Sequence, residues 1–466
     1  MIPVKVAAVG PLVHAITNYV TMDWVARGLL AVGAHPVMAR DGAEAAAMAS
    51  AADALVLNLG TWSPEVHGAM LDAAWVAGGR KIPIVLDPVG AGAMRTRTES
   101  ARAILGSANV TAIRGNIGEI AALAGVEGGV RGVDSRYTGG AARVVKEVAR
   151  QYECIAIATG PVDVLSDGRR TLEVKSGRSL MAQIPGAGCL ASALVAAALA
   201  SDREARALET AAGALLWAGL AGELAAAVAD GPGSFAPAFL DALATIDSLP
   251  SGRIVPPLAD RLSVYVIVSG KTPLTVLEQV LQSGVGTIQF REKTLPYREQ
   301  VPIARAMRNL CDRYGALFLI NDRVDLALAV GAGGVHLGQD DLPIEEARRL
   351  LGPDAIIGGT CETAAETRAA TDAGADYIGT GPVYATPSKA DAGDPYGPDV
   401  VGWVSQATHL PVIGIGGIGP GNAAPVIAAG ACGVAVISSV VNAADPGAAA
   451  HSLMEEVATA KGDAAR

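Results

Sequence analysis

The stretch Thr287-Ile288-Gln289-Phe290-Arg291-Glu292-Lys293 decides how this chain is read, because a short apolar strand runs straight into a charged tip. Arg291 and Lys293 stand two residues apart beyond the strand, a spacing that puts both on one side. The same unit of apolar strand, polar or glycine-rich tip and helix recurs about eight times between Ser263 and Ser438. The other tips are Asn321-Asp322-Arg323, Gln339-Asp340-Asp341, Thr360-Cys361-Glu362, Thr386-Pro387-Ser388-Lys389, Gly416-Gly417 and Ser438-Ser439. Strands are expected at 264–268, 287–290, 317–320, 334–337, 355–358, 377–379, 412–415 and 434–437. Eight strand–helix units with their chemistry at the strand ends describe a TIM (β/α)8 barrel and its active face. Asp322 and Asp341 end the third and fourth strands, where they can share one Mg2+. Gly416-Gly417 and Ile437-Ser438 end the last two strands, the usual monophosphate pocket of this architecture. Two phosphate sites are therefore expected. One is metal-bound and ringed by Arg291, Lys293 and Lys389, as suits a pyrophosphate leaving group. The other is lined by backbone, as suits a monoester that is held and not cleaved. No side chain in the set is an obvious nucleophile; Cys361 reads as structural and His336 as packing or support.

Upstream of the barrel, residues 249–257 are rich in proline and weakly periodic, a linker composition. The expected division is a first domain at 1–248, a linker at 249–261 and the barrel at 262–466. The first domain is α/β, with strands at 36–38, 54–60, 82–87, 110–114 and 155–159 separated by amphipathic stretches. Those spacings imply βαβ crossovers and a mostly parallel sheet, with 162–166 as an antiparallel edge. Pro185-Gly186-Ala187-Gly188-Cys189 opens a helix. Free amides and a positive dipole end there suit a phosphate, and the same field is expected to lower the Cys189 pKa and make it a base. The plain alternative is a tight turn followed by a small core cysteine. Asp87 ends one strand, Arg114-Gly115-Asn116 ends another ahead of Glu119, and Thr159-Gly160 ends a third. Asp87 and Glu119 can hold Mg2+, directly or through water, and Arg114 can neutralise triphosphate charge. Asn18 and Met38 can shape an acceptor pocket.

The formal net charge is −10, which excludes a broad nucleic-acid footprint. The five cysteines form no C-x-x-C pair, so a reducing, cytoplasmic setting is expected. Residues 1–9 lack the charged region and apolar core of a signal peptide. Of the apolar runs, 190–200 is too short to span a bilayer and 426–441 is broken by glycines, so no membrane partner is expected. Small molecules are the expected substrates.

Four strings in the first domain give a resemblance: Leu12-Val13-His14-Ala15-Ile16-Thr17-Asn18-Tyr19-Val20-Thr21, Pro36-Val37-Met38, Leu86-Asp87-Pro88-Val89-Gly90-Ala91-Gly92 and Arg114-Gly115-Asn116. Residues 1–245 resemble hydroxyethylthiazole kinase. The resemblance implies a ribokinase-like fold, ATP as phosphate donor, thiazole contacts at Met38 and Gly186, and ATP contacts at Arg114 and Thr159. It also implies Mg2+ at Asp87 and Glu119, Cys189 as base, and a trimer. Pro185 and Ala187 depart from the hydroxyl residues usual in that family, which leaves open a second reading in which this domain is a catalytically weak ligand-binding scaffold. In the barrel, Gln289–Lys293, Ile320-Asn321-Asp322-Arg323-Val324-Asp325-Leu326-Ala327, Gly334-Val335-His336-Leu337-Gly338-Gln339, Asp376-Tyr377-Ile378-Gly379 and Ile415-Gly416-Gly417-Ile418 resemble thiamine phosphate synthase. That resemblance implies pyrimidine pyrophosphate held by Gln289, Arg291, Glu292, Lys293, Asn321, Thr360 and Lys389. It implies Mg2+ on Asp322 and Asp341, and thiazole phosphate held by Thr386, Ser388, Gly417, Ile437 and Ser438. The product of the first domain is then the substrate of the second, so a bifunctional enzyme of thiamine biosynthesis is expected.

Overall fold

Residues 2–125, 140–202, 206–250, 252–386 and 394–464 are described by the computed structural model. They form two units, Met1–Pro257 and Leu258–Arg466. Ser388 and Lys389, both expected in the barrel site, lie outside the described residues.

In the first unit the strands are β1 (Leu12–Ile16), β2 (His35–Val37), β3 (Ala54–Asn58), β4 (Ile84–Asp87), β5 (Ala112–Asn116), β6 (Ile155–Thr159), β7 (Asp163–Ser166), β8 (Thr171–Val174) and β9 (Ile254–Val255). They form one sheet in the order β2-β1-β3-β4-β5-β6-β7-β8-β9. Pairing is parallel from β2 through to β6 and antiparallel from β6 to β9. Side chains alternate between two cores. Leu55, Leu57, Ile84 and Leu86 pack with the helices Gly42–Ala51, Pro64–Arg80 and Arg95–Ser107. Val56 and Val85 face the other way, toward Ala187–Ser201 and Ala207–Val228. A sheet covered on both faces needs strands that are apolar throughout, and every residue of β3 and β4 is buried. The antiparallel edge expected near 162–166 is β7. β1 was not among the expected strands. The stretch read as a linker contributes β9, which pairs with β8 through Glu173–Val255 and Val174–Ile254, so order continues to the unit boundary.

The helix Ala207–Val228 is long and apolar enough to cross a membrane, but 67% of its most apolar window is buried in the unit. Its Trp217 is buried and donates to the Leu243 carbonyl, as a core helix does.

In the second unit β10 (Val264–Val268), β11 (Thr287–Phe290), β12 (Leu317–Asn321), β13 (Gly334–Leu337), β14 (Ile356–Thr360), β15 (Tyr377–Thr380), β16 (Val412–Ile415) and β17 (Gly433–Val436) close into a parallel barrel. β17 pairs with β10 to complete the ring. Val264, Val266 and Val268 point out to the helical layer, while Tyr265 and Ile267 join Leu317, Leu319, Tyr377 and Ile413 inside. This is the TIM barrel expected, with each strand within two residues of its expected position.

Candidate active sites

In the first unit, five neighbouring strands deliver polar side chains to their C-terminal edge. Asn18 follows β1, Asn58 ends β3, Asp87 ends β4, Arg114 lies in β5 and Thr159 ends β6. The helix Ala187–Ser201 meets this edge, with Gly186 at its N-cap. Gly186 has φ +90°, and a Cβ there would lie 2.7 Å from Thr21 Cβ, so glycine is required for both conformation and room. Ala187 donates its amide to the Ile184 carbonyl, which leaves the Gly188 and Cys189 amides without a carbonyl acceptor among the described residues. These are the orphan donors of a helix start.

Cys189 Sγ accepts from Asn18 Nδ2 at 3.4 Å and from Asn58 Nδ2 at 3.3 Å. Its pKa is nevertheless raised, first by burial and then by the Asp87 charge, against smaller help from Thr21, Asn18 and Arg114. The expectation of a lowered pKa is thus corrected: desolvation and the Asp87 charge outweigh the hydrogen bonds to the thiol and the Arg114 charge. Asp87 is buried and its pKa is raised to about 6, chiefly by burial, with Arg114, Ser192 and Asn58 pulling down and Glu119 pushing up. Ser192 Oγ donates to Asp87 Oδ2 at 2.9 Å and Arg114 Nη1 lies 3.8 Å from the same oxygen. Asp87 Oδ1 has no hydrogen-bond partner, although Asn58 is near enough to favour the charge. Arg114 also donates to the Thr159 hydroxyl. Glu119 instead accepts from two backbone amides, Gly90 at 2.9 Å and Asn116 at 2.8 Å. It closes a capping box with Asn116 and ties the turn after Asp87 to the turn after Arg114. Met38 is half-buried after β2 and packs on the core cluster that Trp24 and Cys189 also flank. Asn58 was missed by sequence reasoning; its position at the end of a strand, level with Asp87 in the sheet register, was the available signal.

In the second unit, Gln289, Arg291, Asn321, Thr360, Thr386, Gly417, Ile437 and Ser438 line one cavity of about 460 Å³ at the barrel's C-terminal mouth. Lys293 Nζ sits 3.1 Å from Asp322 Oδ2. Asp322 holds a left-handed φ of +62°, an uncommon conformation for a residue with a side chain. Its amide is fixed to the His336 carbonyl at 2.9 Å. Asp341 accepts from the Gly338 amide at 2.7 Å. Its pKa is raised by burial first and by the neighbouring Asp322 carboxylate, against the pull of Gly338 and Lys293. Two carboxylates and a lysine thus meet beside the cavity at one side of the mouth, and none of the three is among its lining residues.

Glu292 does not join them. Its carboxylate accepts from the Gly270, Thr294 and Leu295 amides and the Thr294 hydroxyl. Partial burial opposes its ionisation, yet these bonds together hold its pKa down to about 2. These bonds give Glu292 a role in folding the loop that carries Arg291 and Lys293.

The opposite side of the mouth is built from backbone. Asn422 accepts from the Gly419 amide at 2.9 Å and donates to the Gly417 carbonyl at 3.0 Å. Ser439 Oγ ties β17's tip to the Ile418 carbonyl at 2.8 Å. Glu456, from the helix Pro446–Ala464, accepts from the Gly421, Ala423 and Ala424 amides. Asn422 and Glu456 carried no signal that sequence reasoning used. Cys361 is buried with its pKa pushed up to about 11 by desolvation, as fits a structural thiol.

The pattern of the hydroxyethylthiazole kinase family matches residues 4–248, and that of thiamine monophosphate synthase matches residues 264–440. The thiamine biosynthesis bifunctional protein ThiM/ThiE of Symbiobacterium thermophilum is 62% identical over 99% of this chain and 99% of its own length. The thiamine-phosphate synthase of Moorella thermoacetica is 49% identical over 43% of this chain and 97% of its own length. The hydroxyethylthiazole kinase of Desulfotalea psychrophila is 46% identical over 50% of this chain and 85% of its own. Through its first unit the chain belongs to the hydroxyethylthiazole kinase family, and through its second to the thiamine monophosphate synthase family.

Proposed function

We propose that the first unit transfers a phosphoryl group from ATP to the hydroxyl of hydroxyethylthiazole. The second unit joins the resulting thiazole phosphate to hydroxymethylpyrimidine pyrophosphate, giving thiamine phosphate and pyrophosphate. The observation that carries this reading is the two-sided barrel mouth, charged at one side and backbone-lined at the other, in a chain that also holds a separate helix-end anion site.

The residues fit a divalent ion in both units. Asp87 Oδ1 is buried and lacks a partner, and the Asp322 carboxylate lies close enough to Asp341 to raise its pKa, second to burial. Mg2+ held by Asp87 in one unit and by Asp322 and Asp341 in the other would supply neutralisation of phosphate charge. Glu119 can add to that neutralisation, directly or through water, with the lone pairs that its two amide bonds leave.

In the kinase step the Gly188 and Cys189 amides and Arg114 face the transferring group. Phosphoryl transfer passes through a loose transition state that needs little early deprotonation of the attacking alcohol. A protonated Cys189 can therefore orient the alcohol through Sγ, while the alcohol proton passes late to an oxygen of the transferred phosphoryl group. The anion site is main-chain, so Pro185 and Ala187 do not remove it. In the coupling step the C–O bond to pyrophosphate breaks and the electron pair leaves with pyrophosphate. Arg291 and Lys293 receive that charge. The electron-rich aminopyrimidine carries the positive charge left behind, and the thiazole nitrogen closes the new C–N bond. Positioning and leaving-group stabilisation suffice, so no protein nucleophile is needed.

A trimer through the first unit, and the cytoplasm as the compartment that offers ATP and keeps the cysteines reduced, complete the proposal. Separate assays of two variants test it. Asp87→Asn should lower kinase turnover by roughly 100-fold or more and leave coupling intact; Lys293→Ala should do the reverse. Loss of both activities in either folded variant would refute the division of labour.

A further inference from the structure

Five polar side chains run hydrogen bond to hydrogen bond across the floor of the barrel mouth. Gln289 Nε2 donates to Tyr265 OH at 2.8 Å, and Tyr265 OH lies 2.9 Å from Tyr377 OH. Tyr377 OH lies 2.9 Å from His336 Nδ1, and His336 Nε2 lies 2.9 Å from Thr360 Oγ1. Both phenols are buried, and burial is the main cause that raises both their pKa values, so both keep their protons. Tyr377 stacks on His336 with ring centroids 5.5 Å apart. β14 carries Gly358 where the ring passes, since a Cβ there would lie 2.1 Å from Tyr377 Cζ.

The direction of the chain follows from counting protons. The Gln289 amide nitrogen can only donate. The Tyr265 hydroxyl has two partners among the described residues, Gln289 and Tyr377. Accepting from the first, it must give its own proton to the second or leave it buried and unpaired, which is costly. Tyr377, accepting from Tyr265, must then donate to His336 Nδ1. A histidine accepting at Nδ1 carries its proton on Nε2 when neutral and donates it to Thr360 Oγ1. The Thr360 hydroxyl, already an acceptor, turns its own proton to the cavity it lines.

We infer that Gln289, Tyr265, Tyr377, His336 and Thr360 form a one-way hydrogen-bond relay that fixes His336 as the Nε2–H tautomer and presents the Thr360 hydroxyl proton at the barrel mouth. The relay joins β10, β11, β13, β14 and β15, so one histidine tautomer sets polar directions around much of the rim. Tyr377, which does not line the cavity, is a positioning residue. The identity of what meets the two ends rests on the function proposed above: with pyrimidine pyrophosphate bound, Gln289 Oε1 offers an acceptor and Thr360 a donor for an anionic oxygen.

The test is nitrogen-15 NMR on the full chain labelled at histidine, with His336 assigned by difference against His336→Gln. At pH 7.5 the expected result is an unprotonated Nδ1 and a protonated Nε2. A proton on Nδ1, in a neutral or a cationic ring, overturns the relay. This measurement uses the unmodified protein, so it depends neither on a variant that folds nor on coupling activity. An absence of coupling would sink the functional reading and leave the tautomer result standing. Tyr377→Phe extends the test. His336 should lose its fixed tautomer, KM for pyrimidine pyrophosphate should rise about tenfold through the loosened Thr360 donor, and kinase activity should be unchanged. An unchanged tautomer in that variant would also overturn the relay.

Discussion

Glu292 stands in sequence between two cations of the barrel mouth, yet its carboxylate is bound by three amides and a hydroxyl of its own loop. The pH dependence follows from its sign. The folded pKa of about 2 lies below the ordinary 4.5, so the unfolded chain binds more protons between those values. The stabilising contribution is complete above about pH 4.5 and is lost as pH falls toward about 2. Glu292→Gln should therefore lower the barrel's Tm at pH 7, with the gap to the unmodified chain closing as pH is lowered below about 4.5 in calorimetry. A gap independent of pH would remove this account of Glu292. Residue types at strand tips were legible in the sequence, but their partners were not. Glu292 and Lys293 look alike as tip charges, and only the turn geometry sends one to Gly270 and the other to Asp322. Cys189 was misjudged for a related reason. The helix end was visible in Gly186-Ala187-Gly188, while the burial and the Asp87 charge that raise the thiol pKa arise only when distant parts of the chain pack together.

At the scale of elements, the loop after β16 owes its shape to a helix that follows it in the chain. Glu456 on Pro446–Ala464 gathers the Gly421, Ala423 and Ala424 amides at 2.7, 2.8 and 3.0 Å. Charge-assisted bonds of this kind contribute about 1.5–3 kcal/mol each. Glu456→Gln should loosen the backbone that includes Gly417 and raise KM for thiazole phosphate about fivefold, with KM for pyrimidine pyrophosphate little changed. Equal changes in both constants would mean that Glu456 supports the barrel generally and not this loop. The eight barrel strands were readable because each is a short apolar run closed by a polar tip. β1 was harder: Leu12–Ile16 precedes no charged tip and was seen only as part of a motif. β8 and β9 are a short edge pair whose register is set by pairing between Glu173–Val174 and Ile254–Val255, about eighty residues apart in sequence.

For the molecule as a whole, the first unit runs to Pro257 and the second begins at Leu258. A fragment ending at 248 would lack β9 and bare the edge of β8, whereas one ending at 257 keeps the strand. The longer fragment should show the higher Tm and remain an active kinase; equal stabilities would mean that β9 adds nothing to the sheet. Two units with distinct sheets were legible from the alternation of strands and tips alone. One chain performs two consecutive reactions. Phosphorus-31 NMR of the full chain with hydroxyethylthiazole, ATP and hydroxymethylpyrimidine pyrophosphate tests this most directly. Thiazole monophosphate and ADP should appear first, followed by thiamine phosphate and pyrophosphate in equal amounts. Thiamine phosphate formed without ADP, or thiazole phosphate that accumulates and is never consumed, would contradict the account.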